Sequence, residues 1–337
     1  MERKEALLSI LMPTYNRVNF AKTQLDFILR ECAEEREKIE IVVSDNASED
    51  GTKEMLEQYR DKGIIVNRNN SNLGIVANMY VGSQFCSGKY LWIFSDDDIV
   101  KPGAIKHVIQ LLNKYQDINY IFLNYASLKG KALEDGLYPS ALRGESGYFE
   151  NAVPMIMRDF SARSENMILI TTSIYKKEYF ELATKVLPLC DLESYAVNYY
   201  TPLAAVKNGS AYFDEEIWCN NFPMNASWRR DAYRSKRGVM RFFVRLDRAG
   251  YSKKEIKKMY LSFCNRGFME GCLIYNLFKT GNVRIFIEDW YFLFKQIPIK
   301  MIGLSVIGGL RVFKDTIVRV GKGQWKKADY NDPSRFG

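Results

Sequence analysis

Ahead of about residue 225 the chain alternates short apolar runs, rich in β-branched residues, with amphipathic stretches. That rhythm implies successive βα units and a largely parallel sheet, because parallel neighbours need a long crossover between them. Six strands are expected: Leu7–Met12, Ile39–Ser44, Ile64–Asn67, Tyr90–Phe94, Tyr120–Leu123 and Met167–Ile174. Val18, Ala21, Leu25, Ile28 and Cys32 recur at helical spacing, as do Ile105, Val108, Ile109 and Leu112. Both segments predict helices lying on the sheet. His107 falls between the apolar positions of the second helix, beside Lys106, and reads as a solvated surface imidazole.

The alternation stops near residue 225, and long helical patterns with Arg and Lys along one side follow through Arg245, Lys258 and Arg266. Charge changes at the same place. Residues 226–337 hold 24 Lys and Arg against 9 Asp and Glu, a net of +15, whereas residues 1–225 carry −7. We therefore divide the chain into residues 1–225 and a basic, mainly helical region, residues 226–337, which expects an anionic surface. Lys295, Lys300 and Arg311 interrupt its apolar aromatic stretches Val283–Phe294 and Ile297–Phe313. A bilayer span needs about 20 mostly uncharged residues, so a helix lying in the membrane interface fits better. The six cysteines are scattered without a C-x-x-C pair, and His107 is the sole histidine. That usage argues against a zinc site or a disulfide framework and fits a reducing cytoplasm. No export signal is read at the N-terminus.

Polar clusters stand where the expected strands end, the place where open α/β sheets bind ligands. The first strand runs into Pro13, Thr14, Tyr15, Asn16 and Arg17, and the second into Asp45, Asn46 and Ser48. A carboxylate at Asp45 can accept from a base edge or a ribose hydroxyl, although these residue types also build ordinary turns. Asn72 and Gly74 precede a helix containing Asn78, so loop amides and a helix N-terminus there could face a phosphate or simply cap the helix. The most informative cluster is Ser95, Asp96, Asp97 and Asp98 after an apolar strand. Adjacent carboxylates repel one another, and a hard divalent cation bridging carboxylate and diphosphate would offset the repulsion. Acidic residues favoured by a helix N-terminus near Pro102 are the alternative.

Taken together and in this order, the four clusters resemble the family 2 glycosyltransferases of the GT-A fold over about residues 6–125. The resemblance implies a Rossmann-like α/β fold, with a mixed, mostly parallel sheet flanked by helices. It also implies that Pro13, Thr14, Tyr15 and Asp45 hold a nucleotide base and that the acidic strand end is a D-x-D metal motif. The usual D-x-D-D reads Ser95-Asp96-Asp97-Asp98 here, similar to the S/G-D-D-D form of abequosyltransferase-like branches. Asp97, supported by Asp98, is then the expected ligand of Mn2+ or Mg2+, with Asp96 reaching the ribose. Inversion needs a general base, and Asp191 and Glu193 are the candidates, with Asp214, Glu215 and Glu216 poorer ones. Trp228, Arg229 and Arg230 open the basic region and could close over a diphosphate, or form a solvated face.

The expected function is transfer of a sugar from a nucleoside-diphosphate sugar, a UDP-sugar before others, to a glycan or lipid-linked acceptor hydroxyl. By resemblance this serves surface polysaccharide synthesis, on the cytoplasmic face of the cell membrane, with peripheral attachment through the basic region. The alternative is a non-catalytic nucleotide- or RNA-binding protein using that region. No nucleic-acid motif is recognised there, so no nucleic acid is expected as a partner. A nucleotidyltransferase is disfavoured by the lack of a Gly-rich loop after the first strand.

Overall fold

The computed structural model describes residues 6–128, 136–137, 145–163, 167, 169–187, 196–221, 242–243 and 245–264. The strands are β1 (Leu8–Thr14), β2 (Ile39–Asp45), β3 (Ile65–Arg68), β4 (Tyr90–Ile93), β5 (Ile99–Val100), β6 (Tyr120–Ser127), β7 (Gly147–Phe149), β8 (Ser173–Lys176) and β9 (Ala211–Asn221). The helices are α1 (Val18–Glu31), α2 (Thr52–Arg60), α3 (Ile75–Ser83), α4 (Ala104–Lys114), α5 (Val153–Arg163), α6 (Lys177–Val186), α7 (Ala196–Lys207) and α8 (Lys253–Cys264).

The strands form one sheet in the order β3-β2-β1-β4-β8-β6-β9-β5, with β7 paired to β9. β3, β2, β1 and β4 are mutually parallel, β8 runs against both β4 and β6, and β9 runs with β6. β5 and β7 lie antiparallel on β9. The sheet is therefore mixed and mostly parallel, and its parallel half carries the carboxyl ends of β1, β2 and β4 to one edge.

Period-two alternation divides the strands between two cores. Leu8, Ile10 and Met12 of β1 pack with Leu25, Leu56 and Val108 on one face. Leu11 points the other way, into a second core with Val42, Met79, Leu91, Tyr200 and Leu203. With both faces covered, each strand reads as a continuous apolar run rather than as alternating polar and apolar residues. α3 lies close on β1 and β2: a Cβ at Gly82 would stand 2.7 Å from Leu11 Cδ1 and 2.8 Å from Ser44 Cβ. One carboxylate ties two helix starts together. Asp50 Oδ2 accepts from the Val18 amide at 2.8 Å, while its Oδ1 takes the Thr52 hydroxyl at 2.5 Å. The position suits an anion, because helix N-termini present unpaired amides.

Phe242, Phe243, Leu246, Tyr251 and Met259 join the second core, and the Tyr251 hydroxyl donates to the Leu203 carbonyl at 2.9 Å. These five residues, which follow the division drawn at 225, thus share a core with α7. Trp228, Arg229, Arg230, Arg266 and the stretches 283–294 and 297–313 lie outside the described residues.

Three departures from the expected elements have local causes. The run Met167–Ile174 becomes a strand only from Ser173, because Ile170–Thr172 is a 3₁₀ turn. That turn presents the Thr171 carbonyl to the Trp92 indole N–H at 2.8 Å. β5, β7 and β9 stand outside the six expected strands; β5 and β7 are only two and three residues long, and β9 mixes polar and apolar residues along its eleven. His107 is only part exposed and is held in place: its Nε2 lies 2.6 Å from Asp214 Oδ2 and its ring stacks on Trp218 at 4.5 Å. β9 supplies both partners, and helical spacing within α4 carries no sign of them.

Candidate functional site

The ends of β1 and β2 each turn through a residue with positive φ, Asn16 at 51° and Ala47 at 65°. Left-handed backbone costs a non-glycine residue about 1 kcal/mol, so both turns must be held by their surroundings. They hold each other: the Asn16 amide donates to the Ser48 hydroxyl at 2.8 Å, and Asn16 Oδ1 accepts from the Glu49 amide at 2.8 Å. Asp45, at the end of β2, is fully buried. Its Oδ1 accepts from the Ser48 amide at 3.0 Å and the Ser48 hydroxyl at 2.5 Å, and its Oδ2 is paired with Arg68.

A second polar layer runs from β2 to α3. Asn46 Oδ1 accepts from Asn69 Nδ2 at 3.0 Å and from the Leu73 amide at 2.9 Å, while its own amide donates to Asn72 Oδ1 at 2.7 Å. Asn72 Oδ1 also accepts from the Gly74 amide at 2.9 Å. Asn78, buried in α3, accepts from Ser44 Oγ at 2.7 Å and Asn69 Nδ2 at 2.8 Å and donates to the Ser44 carbonyl at 2.8 Å. Gly74 adopts φ 83° and ψ 161° just before the helix, a region essentially reserved for glycine. In this structure Asn72 and Asn78 serve the loop and the helix start.

The acidic strand end is sorted by depth. Asp96 is buried, with Oδ2 accepting from Thr14 Oγ1 at 2.8 Å and Oδ1 from Arg17 Nη1 at 2.9 Å. Asp97 is more open, with an 11 % exposed side chain. Its Oδ1 accepts from Ser95 Oγ at 2.5 Å and its Oδ2 from the same Arg17 nitrogen at 2.8 Å. Asp98 is turned inward, where its carboxylate accepts from Thr171 Oγ1 at 2.5 Å and Asn221 Nδ2 at 3.2 Å. Burial pushes Asp96 up to about 6 against the opposing charge of Arg17, and burial followed by the charge of Asp97 pushes Asp98 up to about 7.

Thr14, Arg17, Ser95, Asp96 and Asp97 are thereby brought into one hydrogen-bonded group, and Asp45, Asn46 and Ser48 into its neighbour along the same edge. Pro13 lies in β1 and fixes the approach, and Tyr15 stands on the rim, 41 % exposed. Asp191 and Glu193 lie outside the described residues. Asp214 is spent on His107 and on the Trp218 indole N–H, 3.0 Å away. Sequence reasoning missed Arg68, Thr171 and Asn221, while Asn69 stands at the head of the 69–74 run that it did single out. Arg68 was within reach of it, since it closes β3 in register with Asp45. Thr171 and Asn221 come from 73 and 123 residues beyond Asp98 and leave no local signal.

The fit of a divalent cation can be judged from the donors. Among the described residues no three His, Cys, Asp or Glu side chains form a group able to hold a metal ion. Two carboxylate oxygens do meet one point, the position of Arg17 Nη1. Hard oxygen donors in that number suit a cation held by one or two carboxylates plus substrate phosphates, rather than an all-protein cage.

The two polar groups thus stand at the carboxyl ends of parallel strands, the place where open α/β sheets take their ligands. Residues 9–178 match the family described as Glycosyl transferase family 2, and the chain belongs to that family. It is 36% identical over 119 residues to abequosyltransferase RfbV of Salmonella typhimurium, covering 33% of this chain and 34% of that enzyme. It is 33% identical over 115 residues to the uncharacterized glycosyltransferase RP339 of Rickettsia prowazekii, 34% of this chain and 35% of that one. The chain thus spans about a third of the length of these relatives. Among solved structures, S. aureus TarS 1-349 in complex with UDP superposes with a TM-score of 0.64 at 17% identity, covering 95% of this chain and 93% of that one. Mannosyltransferase PcManGT from Pyrobaculum calidifontis, in complex with GDP-Man and Mn2+, gives 0.52 at 13% identity, covering 91% and 88%. These likenesses are of fold, and the fold is GT-A.

Proposed function

We propose that the chain is an inverting, metal-dependent glycosyltransferase that moves a sugar from a nucleoside-diphosphate sugar to an acceptor hydroxyl. The observation that carries this reading is the meeting of Asp96 and Asp97 oxygens at one point, beside Thr14 and next to the Asp45 crevice, within a family 2 domain. Asp97, the most open of the three aspartates, and one oxygen of Asp96 would hold Mn2+ or Mg2+. Asp98, drawn in from the sequence as a supporting ligand, would instead brace the strand end through Thr171. The cation, when bound, neutralises charge on the leaving diphosphate.

The chain's own residues do the rest. Asp45, buried at the carboxyl end of β2 with Ser48 and Arg68 on its oxygens, would accept from the base or ribose of the donor in place of Arg68, and the exposed Tyr15 would offer a face to the base. Arg17 and Arg68 bring positive charge to an otherwise acidic edge. An acceptor oxygen attacks the anomeric carbon as the bond to the diphosphate breaks, and a carboxylate at Asp191 or Glu193 takes the hydroxyl proton. UDP is the first donor nucleotide to try, since TarS of the same fold is known in complex with UDP. A glycan or lipid-linked acceptor in surface polysaccharide synthesis remains the proposed second substrate. Residues 226–337, with a net charge of +15, would hold the enzyme on the anionic inner face of the membrane. No helix among the described residues is long and apolar enough to cross a membrane.

Release of nucleoside diphosphate from a panel of nucleotide sugars tests the reading. Turnover of one donor with Mn2+ is expected, and Asp97→Asn, still folded, should lose about 100-fold or more of it. Turnover undiminished in that variant would remove Asp97 from the site.

A further inference from the structure

Asp96 and Asp97 each have one oxygen committed within the protein and one oxygen turned to Arg17. The committed oxygens are Asp96 Oδ2, held by Thr14 at 2.8 Å, and Asp97 Oδ1, held by Ser95 at 2.5 Å. The remaining two, Asp96 Oδ1 and Asp97 Oδ2, lie 2.9 and 2.8 Å from the same nitrogen, Arg17 Nη1. Any cation that takes both oxygens takes the place of that nitrogen, and two positive charges cannot share it. Arg17 sits just before the first turn of α1, and its side chain is 28 % exposed, within reach of an incoming ligand. Phosphate oxygens bound at the same strand ends match the geometry of its guanidinium fork.

We propose that Arg17 is an exchangeable counter-ion that occupies the cation position in the empty site and passes to the donor's diphosphate when a divalent cation binds. This rests on the donor-site reading above and adds to it a rule of assembly. Cation alone must break both Arg17 ion pairs and binds weakly. Cation together with nucleoside diphosphate gives Arg17 a new partner and binds tightly. The two ligands are therefore positively coupled, and by reciprocity each raises the affinity for the other by the same factor. Arg68 makes the same kind of pair with Asp45 at the nucleoside end of the crevice, so the empty site is neutralised at both ends.

Mn2+ binding, read from the loss of the free-ion electron paramagnetic resonance signal, tests this without any turnover. Affinity is measured with Mn2+ alone and with UDP, GDP, CDP or dTDP, for wild type, Arg17→Gln, Arg17→Lys and Asp97→Asn. In wild type one nucleoside diphosphate should tighten Mn2+ binding by about 5- to 150-fold, the usual range of coupling between sites. Arg17→Gln should bind Mn2+ alone about tenfold more tightly than wild type and lose most of the coupling. Arg17→Lys, which keeps the competing charge, should stay near wild type and guards against a folding artefact. Asp97→Asn should lose Mn2+ binding with or without nucleotide. If a nucleoside diphosphate promotes Mn2+ binding but Arg17→Gln has the wild-type affinity for Mn2+ alone, the exchange is overturned while the donor-site reading stands. If no nucleoside diphosphate changes Mn2+ binding and Asp97→Asn is indistinguishable from wild type, both fall.

Discussion

Asp96, Asp97 and Asp98 are consecutive in the chain, yet each carboxylate ends in a different environment. They lie in the bend between β4 and β5, outside any strand, and the turning backbone carries Asp98 to Thr171 and Asn221 while Asp97 stays beside Arg17. A buried carboxylate needs donors for both oxygens or it costs several kcal/mol, and Asp98 finds them 73 and 123 residues away. Glu255 shows the opposite balance near the surface. Burial works against its charge, yet hydrogen bonds from Lys207 and Ser252 hold it down at about 2. A carboxylate held below its ordinary value adds stability above its unfolded pKa, near 4.5, and that contribution is lost as pH falls toward 2. Its side chain is a quarter exposed, so solvent screening reduces the effect to about 1 kcal/mol. Glu255→Gln should therefore lower the unfolding midpoint at pH 7 and converge on wild type as pH approaches 2, as followed by thermal denaturation across pH.

At the scale of elements, the crevice depends on how closely α3 lies on β1 and β2. Gly82 permits that approach, and a methyl group there would meet Leu11 and Ser44 inside normal contact distance. Overpacking of this kind costs about 1–3 kcal/mol. Gly82→Ala should lower stability by that amount in denaturant titration, and should also disturb Asn78, which reaches Ser44 from the same helix at 2.7 Å. An unchanged midpoint would mean that α3 can shift away from the sheet freely. At the far end of the described chain, Ser252 and Glu255 cap α8 reciprocally: the Ser252 amide donates to Glu255 Oε2 at 2.7 Å and the Glu255 amide to Ser252 Oγ at 3.3 Å. This capping box starts the helix that packs on α5 and is tied to the end of α7 by the Glu255–Lys207 ion pair at 2.9 Å.

Across the whole molecule, what could be read from sequence follows the range of the interactions. The parallel half of the sheet, α1 and α4 are written in local periodicity, and their strand ends mark the crevice through Thr14, Asp45 and Asp96. Arg68 needed only the register of β3 against β2. The antiparallel insertion of β8, the 3₁₀ turn at Ile170–Thr172 and the seating of His107 on Trp218 are settled by contacts between distant segments, so no window of sequence contains them. The division of labour among three adjacent aspartates belongs to the same class, because it depends on Thr171 and Asn221. The central claim is that the edge formed by β1, β2 and β4 binds a nucleoside diphosphate together with a divalent cation. Thermal unfolding of the full chain with UDP, GDP, CDP and dTDP, each with and without Mn2+, tests it most directly, because a ligand bound only to the folded state raises the midpoint by mass action. The account predicts a Mn2+-dependent rise with one nucleotide that disappears in Asp97→Asn, and a folded sample whose midpoint is moved by none of the four would contradict it.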